Sequence, residues 1–201
     1  MKKNLRDAIK DRRSYYQLKN TSPVSDQEIQ DIIEHVLLYA PSAFHSQSAR
    51  MVLLLGDNHN KMWEITKAEL KKVSKSEEAF KATEDKVNTS FASGYGTILF
   101  FEDKTVIKGL QNNLPTMADK FAQWSDHSSA IAQVLTWIGL ESVGFGASLQ
   151  HYNPLIDEAV KKEWSLDQDW ELVAQMPFGV PAGEPGEKVH VSLEERLIVV
   201  K

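Results

Sequence analysis

The 201-residue sequence contains no cysteine, which removes disulfides, thiolate metal ligands and cysteine nucleophiles together. Long hydrophobic runs are also missing. The longest, TILFF at 97–101 and LIVV at 197–200, fall far below the roughly 18 residues of a bilayer span, so no membrane segment is expected. Positive charge is not in excess: 23 Lys and Arg stand against 28 Asp and Glu, a net charge of -5. That balance disfavours a broad nucleic-acid footprint but leaves room for a local basic pocket holding a phosphate or two. The opening residues, MKKNLRDAIKDRR, lack the apolar core and small-residue cleavage site of a secretory signal. A cytoplasmic location and a small-molecule ligand are therefore expected. Gly/Ser linkers, low-complexity tracts and fixed-period repeats are absent too, so residues 1–201 read as one domain. What is present, 42% apolar and 25% charged residues, is the composition of a globular chain with a real core.

Hydrophobic spacing organises that chain. Leu5, Ala8, Ile9 and Arg12 predict a short helix over 4–13. Ser25 followed three residues later by Glu28 forms a capping box, and Ile29, Ile32, Ile33, Val36 and Leu37 then share one face until Pro41. Residues 51–55 and 97–101 read as buried strands, with charged helices over about 60–73 and 76–91 between them. Residues 125–140 predict a long buried helix carrying Ala130, Ile131, Val134, Leu135 and Ile138, with Trp137 beside them. Asn153 is expected to cap a helix that starts at Pro154. Residues 170–178 and 196–201 complete the strand candidates. Several helices against a small sheet of about four strands place the chain in the α+β class.

Several chemistries fail on spacing. GFGASL at 144–149 puts Leu149 where a dinucleotide fingerprint needs its third glycine, and a helix precedes it. Gly146, Ser148 and Gln150 likewise lack the second glycine of a nucleophile elbow. The six histidines show neither helical pairing nor HExxH, so no metal site is expected.

Four stretches carry positive signals. DRRSYY at 11–16 ends a helix with two arginines, whose forked donors match phosphate oxygens; a solvated basic helix end is the alternative. PSAFHSQSAR at 41–50 crowds Ser42, His45, Ser46, Gln47 and Ser48 into a helix-to-strand junction. GASLQHY at 146–152 offers small residues that let backbone approach a flat ligand, then amide and imidazole donors; helix packing and a turn would read the same. PAGEPGEK at 181–188 forms a tight turn that either holds Lys188 against a phosphate or lies plainly on the surface.

RRSYY, PSAFHSQSAR, GFGASLQHYNP and PFGVPAGEPGEK, in that order along the chain, resemble the flavin-dependent nitroreductase family, in particular its fatty-acid-repression-like branch. The branch more usually has asparagine at the position of His45. The resemblance implies a small, mostly antiparallel sheet flanked by helices, and a C-terminal strand exchanged with a partner subunit. It further implies a homodimer with shared FMN sites that reduces nitroaromatics, quinones or similar small acceptors with NADH or NADPH. Arg12, Arg13 and Ser14 would grip phosphate, ribityl and pyrimidine edge, with Tyr16 nearby and Lys188 closing the phosphate site. Ser42, His45 and Gln47 would reach the partner's flavin, and Ser148, Leu149 and Gln150 would line the ring. The cofactor would carry the chemistry, so no catalytic side chain is expected. A flavin-binding regulator without turnover is the alternative.

Overall fold

The computed structural model describes residues 3–201. Seven α-helices surround the sheet: α1 (Leu5–Asp11), α2 (Asp26–Tyr39), α3 (Asp57–Val73), α4 (Glu77–Ser90), α5 (Lys104–Asn113), α6 (Ala118–Ser142) and α7 (Asp157–Glu163). Its strands are β1 (Leu18–Lys19), β2 (Ala49–Leu55), β3 (Gly96–Asp103), β4 (Gly146–Ala147) and β5 (Trp170–Pro181). They run in the order β1-β5-β3-β2, with β4 also on β5, and every pairing is antiparallel.

Strand β3 is buried along its whole length, which explains a continuous apolar run rather than an alternating one. Ile98 and Phe100 pack with Ile29 and Ile33 of α2 and Trp137 and Leu140 of α6. Leu99 and Phe101 face the other way, onto Met62 of α3 and Val160 of α7. Helices thus cover both faces of the sheet. The β3–β5 register slips between Phe100, opposite Ala174, and Phe101, opposite Leu172, leaving Val173 as a bulge. Helix α2 starts as its capping box requires, with Ser25 Oγ accepting from the Glu28 amide at 3.2 Å, a contact worth about 1 kcal/mol.

Three expectations need correction. Residues 196–201 form no strand. A 3₁₀ turn at Leu193–Glu195 precedes them, and Leu197, Ile198, Val199 and Val200 stand 61–90% exposed, because a strand needs a hydrogen-bonded neighbour and this chain offers the segment none. Asn153 does not cap a helix at Pro154; α7 begins at Asp157 with Ile156 as its N-cap. The Asn153 side chain instead accepts from Gln175 Nε2 at 3.3 Å, and Pro154 lies in the turn before the helix, where its carbonyl accepts from the Asp157 amide. Helix α6 begins at residue 118 rather than 125, and α5, unforeseen, is capped by Asp103 Oδ1 accepting from the Thr105 amide at 2.9 Å. Among the described residues, no helix is long and apolar enough to cross a membrane.

Candidate functional site

After α1 the chain leaves the helix and runs extended along the sheet. The Tyr15 amide donates to the Ala147 carbonyl at 3.0 Å, and β1 pairs Leu18 with Pro181 and Lys19 with Val180. The Ala182 amide donates to the Gln17 carbonyl at 2.8 Å. These bonds hold residues 12–17 beside the turn that follows β5. Between them lies a cleft of about 470 Å³, lined by residues 12–17 and 183–188, within the roughly 300–1,000 Å³ of small-molecule sites.

The cleft gathers Arg12, Arg13, Ser14, Tyr16 and Lys188. The Arg12 guanidinium lies over the Trp137 ring of α6, 4.4 Å from its centroid, an arrangement in which the ring face attracts the cation. Arg13 Nη2 donates to the Gly186 carbonyl and so ties the two walls together. Glu184 and Glu187 also line the cleft, so three cations face two carboxylates and the positive end is local. Burial, then the carboxylates of Glu141 and Glu184, push the Tyr15 hydroxyl above its usual range. Tyr15, Gln17 and Gly183 are lining residues that the sequence did not single out as ligands. A Cβ on Gly183 would meet only the tip of the Gln17 side chain, which could swing aside. Half-exposed Tyr16 sits 6.4 Å from Phe91, whose ring in turn packs on Trp63.

Ser148, Leu149 and Gln150 continue from β4, next to the 14–15 segment, through the Ser14–Ala147 bridge. Ser148 is fully buried and its amide donates to the Pro177 carbonyl at 3.2 Å. Leu149 packs against the core, and Gln150 exchanges backbone bonds with Gln175 while its Nε2 donates to Ser148 Oγ at 3.0 Å. The close approach expected at Gly146 is real but is made by protein: a Cβ there would meet the Tyr15 ring at 2.8 Å and Pro181 at 2.9 Å.

Ser42, His45 and Gln47 are elsewhere in the protomer, lining a small cavity with residues of α2 and with Ser128 and Ala132 of α6. Their segment is tightly wound. Phe44, His45 and Gln47 take φ values of 55°, 51° and 49°, the left-handed region that costs a non-glycine residue about 1–2 kcal/mol. Local bonds hold the winding: Ser42 Oγ accepts from the Gln47 amide at 3.1 Å, Ser128 Oγ accepts from the Ala43 amide at 3.3 Å, and Arg50 Nη1 donates to the Gln47 carbonyl at 2.8 Å. Ser42, foreseen as a ligand, thus serves the loop's own backbone in this chain. Phe44, 56% exposed, stacks on Trp124, a neighbour that no sequence signal announced.

The assembled site offers cationic donors, a glycine-containing turn and two tyrosine rings, a set suited to a phosphate-bearing planar ligand. The nitroreductase family model matches residues 9–180, from α1 to the end of β5. The Saccharomyces cerevisiae protein HBN1 is 34% identical over 183 residues, covering 90% of this chain and 89% of its own. Nitroreductase CinD from Lactococcus lactis, solved with nicotinic acid, is 40% identical with a TM-score of 0.90, over 98% of this chain and 100% of that one; CinD has also been solved with chloramphenicol and with 4-nitrophenol. A nitroreductase from Desulfitobacterium hafniense solved with bound FMN shares the fold, with a TM-score of 0.71 and 16% identity over the whole of both chains. Sequence likeness across nearly the full length, joined to the same overall architecture, leads to one conclusion: this chain belongs to the nitroreductase family and is an oxidoreductase.

Proposed function

We propose that the cleft binds FMN and that the protein passes electrons from NADH or NADPH to nitroaromatics, quinones or similar small acceptors. The observation that carries this reading is the convergence of Arg12, Arg13 and Lys188 on one cleft, closed by the 183–188 turn. Paired guanidinium groups and an ammonium fit a phosphate monoester through charge-assisted bonds. The extended 14–17 segment beside them offers polar side chains to a polyol. When bound, FMN supplies the two-electron chemistry. Arg12, Arg13 and Lys188 would anchor the phosphate, and residues 148–150, next to Ser14 through the Ser14–Ala147 bridge, would border the ring. Complexes of CinD with nicotinic acid, a pyridine carboxylate, and with 4-nitrophenol are consistent with a relative's site that accepts flat rings.

The same reading makes the protein a homodimer whose flavin sites draw on both chains. Ser42, His45 and Gln47 line a cavity distinct from the cationic cleft of their own protomer, and the unpaired apolar residues at 197–200 suit exchange onto a partner. Purified protein that is yellow, retains FMN and oxidises NADH or NADPH with a nitro or quinone acceptor would bear the proposal out. Flavin binding without turnover would favour a regulatory role, and a colourless protein that takes up no added FMN would refute the cofactor assignment.

A further inference from the structure

Beneath the 42–48 segment lies a buried carboxylate that the cleft does not use. Glu102, on β3, is 1% exposed. Its Oε2 accepts from Ser48 Oγ at 2.6 Å and from Ser125 Oγ of α6 at 2.7 Å, while its Oε1 is buried without a hydrogen-bond partner. Ser48 is fully buried, contacts Ser46 Oγ at 3.3 Å, and its carbonyl accepts from the Asp103 amide at 2.9 Å. A buried carboxylate is costly unless hydrogen bonds compensate it. Here one of its two serine bonds falls at the end of a segment with three left-handed residues.

We propose that Glu102 is a positioning residue: through the Ser48 hydroxyl it holds the 42–48 segment in the shape that presents Ser42, His45 and Gln47 to the flavin. The inference rests on the proposed flavin contact of that segment. An ionised carboxylate accepts a hydroxyl bond more strongly than a neutral group does, so the hold is firm when Glu102 is charged and loosens on protonation. Burial pushes its carboxyl above the usual carboxylate range, against the two serine bonds and Lys104 of α5, with Asp126 of α6 adding to the rise. Arg50 of β2 is neutralised nearby by Asp103 at 2.8 Å, and His45 is the titratable group within the segment itself.

The test is FMN affinity, measured by flavin fluorescence on the full-length chain stripped of flavin, from about pH 5 to about pH 8. Parent and variants are compared at each pH, which removes the titration of the flavin phosphate itself from the comparison. The parent should bind more weakly at the acid end. Glu102→Gln should bind about tenfold more weakly than the parent at neutral pH and should lose the part of the pH dependence that Glu102 provides. Ser48→Ala should reproduce that loss from the loop side, and Ser125→Ala, which leaves the loop bond intact, should cost less. A purely structural carboxylate would instead give equal effects for the two serines and an unchanged pH profile, which overturns the proposal. Gln47→Ala separates the layers: if it weakens FMN binding while Glu102→Gln and Ser48→Ala do not, the positioning role fails alone. If Gln47→Ala also has no effect, the flavin contact of the segment fails with it.

Discussion

Arg12 and Trp137 form a stacked pair, guanidinium over indole at 4.4 Å, that fixes a cation at the mouth of the cleft before any ligand arrives. Trp137 is otherwise a core residue, 9% exposed, so the cation at the end of α1 rests on a buried ring of α6. Trp137→Leu should therefore weaken FMN binding severalfold by freeing Arg12, whereas Trp137→Phe keeps an aromatic face and should retain most of the affinity. Flavin titration of both variants checks this; equal losses would assign the effect to core packing.

Removal of a phosphate contact is the direct counterpart. Arg12→Ala or Lys188→Ala should each cost roughly 1.5–3 kcal/mol, about tenfold to a hundredfold in FMN affinity, with little change in thermal stability. Riboflavin, which lacks the phosphate, should bind the parent much more weakly than FMN and should be nearly indifferent to either substitution.

The subunits can be tested by mixing. Arg12→Ala chains combined with Gln47→Ala chains should regenerate one intact site in each heterodimer, raising FMN bound per dimer at limiting flavin above the average of the two parents. A mixture equal to that average would put both residues in one subunit's site. Because ligand and assembly would be linked, added FMN should also stabilise the dimer, and dilution should release flavin.

Asp157 gives a stability prediction with a definite sign. Burial, together with Glu171 and Glu158 and against Lys161, raises its carboxyl to about 6, and its Oδ1 is buried without a partner. The folded form thus holds its proton more tightly than the unfolded chain, whose value is near 3.9. This group's favourable contribution is complete below about pH 4 and is lost as pH rises through about 6. Asp157→Asn should stabilise the protein by about 1 kcal/mol at neutral pH, after allowance for solvent screening of a half-buried group, and should flatten the melting temperature between those limits.

Local chemistry made much of the fold readable. The Ser25 capping box starts α2 as expected, and the apolar run at 97–101 lies inside β3 because both faces of that strand are covered. What could not be read is long-range. Helix α5 depends on Asp103, two residues past the run read as a strand, which both ends β3 and caps the helix. The 196–201 run has the composition of a strand, but composition does not supply a neighbour to pair with. At the cleft, the arginines and Lys188 are local signals brought together by the pairing of β1 with β5. Trp137, supplied by a distant helix, carried no mark of being the surface under Arg12. Gly146 was legible as a point of close approach, but only the fold identifies the approaching group as Tyr15.

The bulge in β5 has a consequence for how this chain tolerates change in length. Leu172 and Ala174 are two positions apart yet belong to opposite sides of the sheet, because Val173 adds a step that the pleat does not count. Deleting a residue from a strand ordinarily inverts everything beyond it. Removing Val173 would do the reverse: Leu172 and Ala174 would become neighbours on alternate faces, where they already point, and the strand would stay in phase from Trp170 to Pro181.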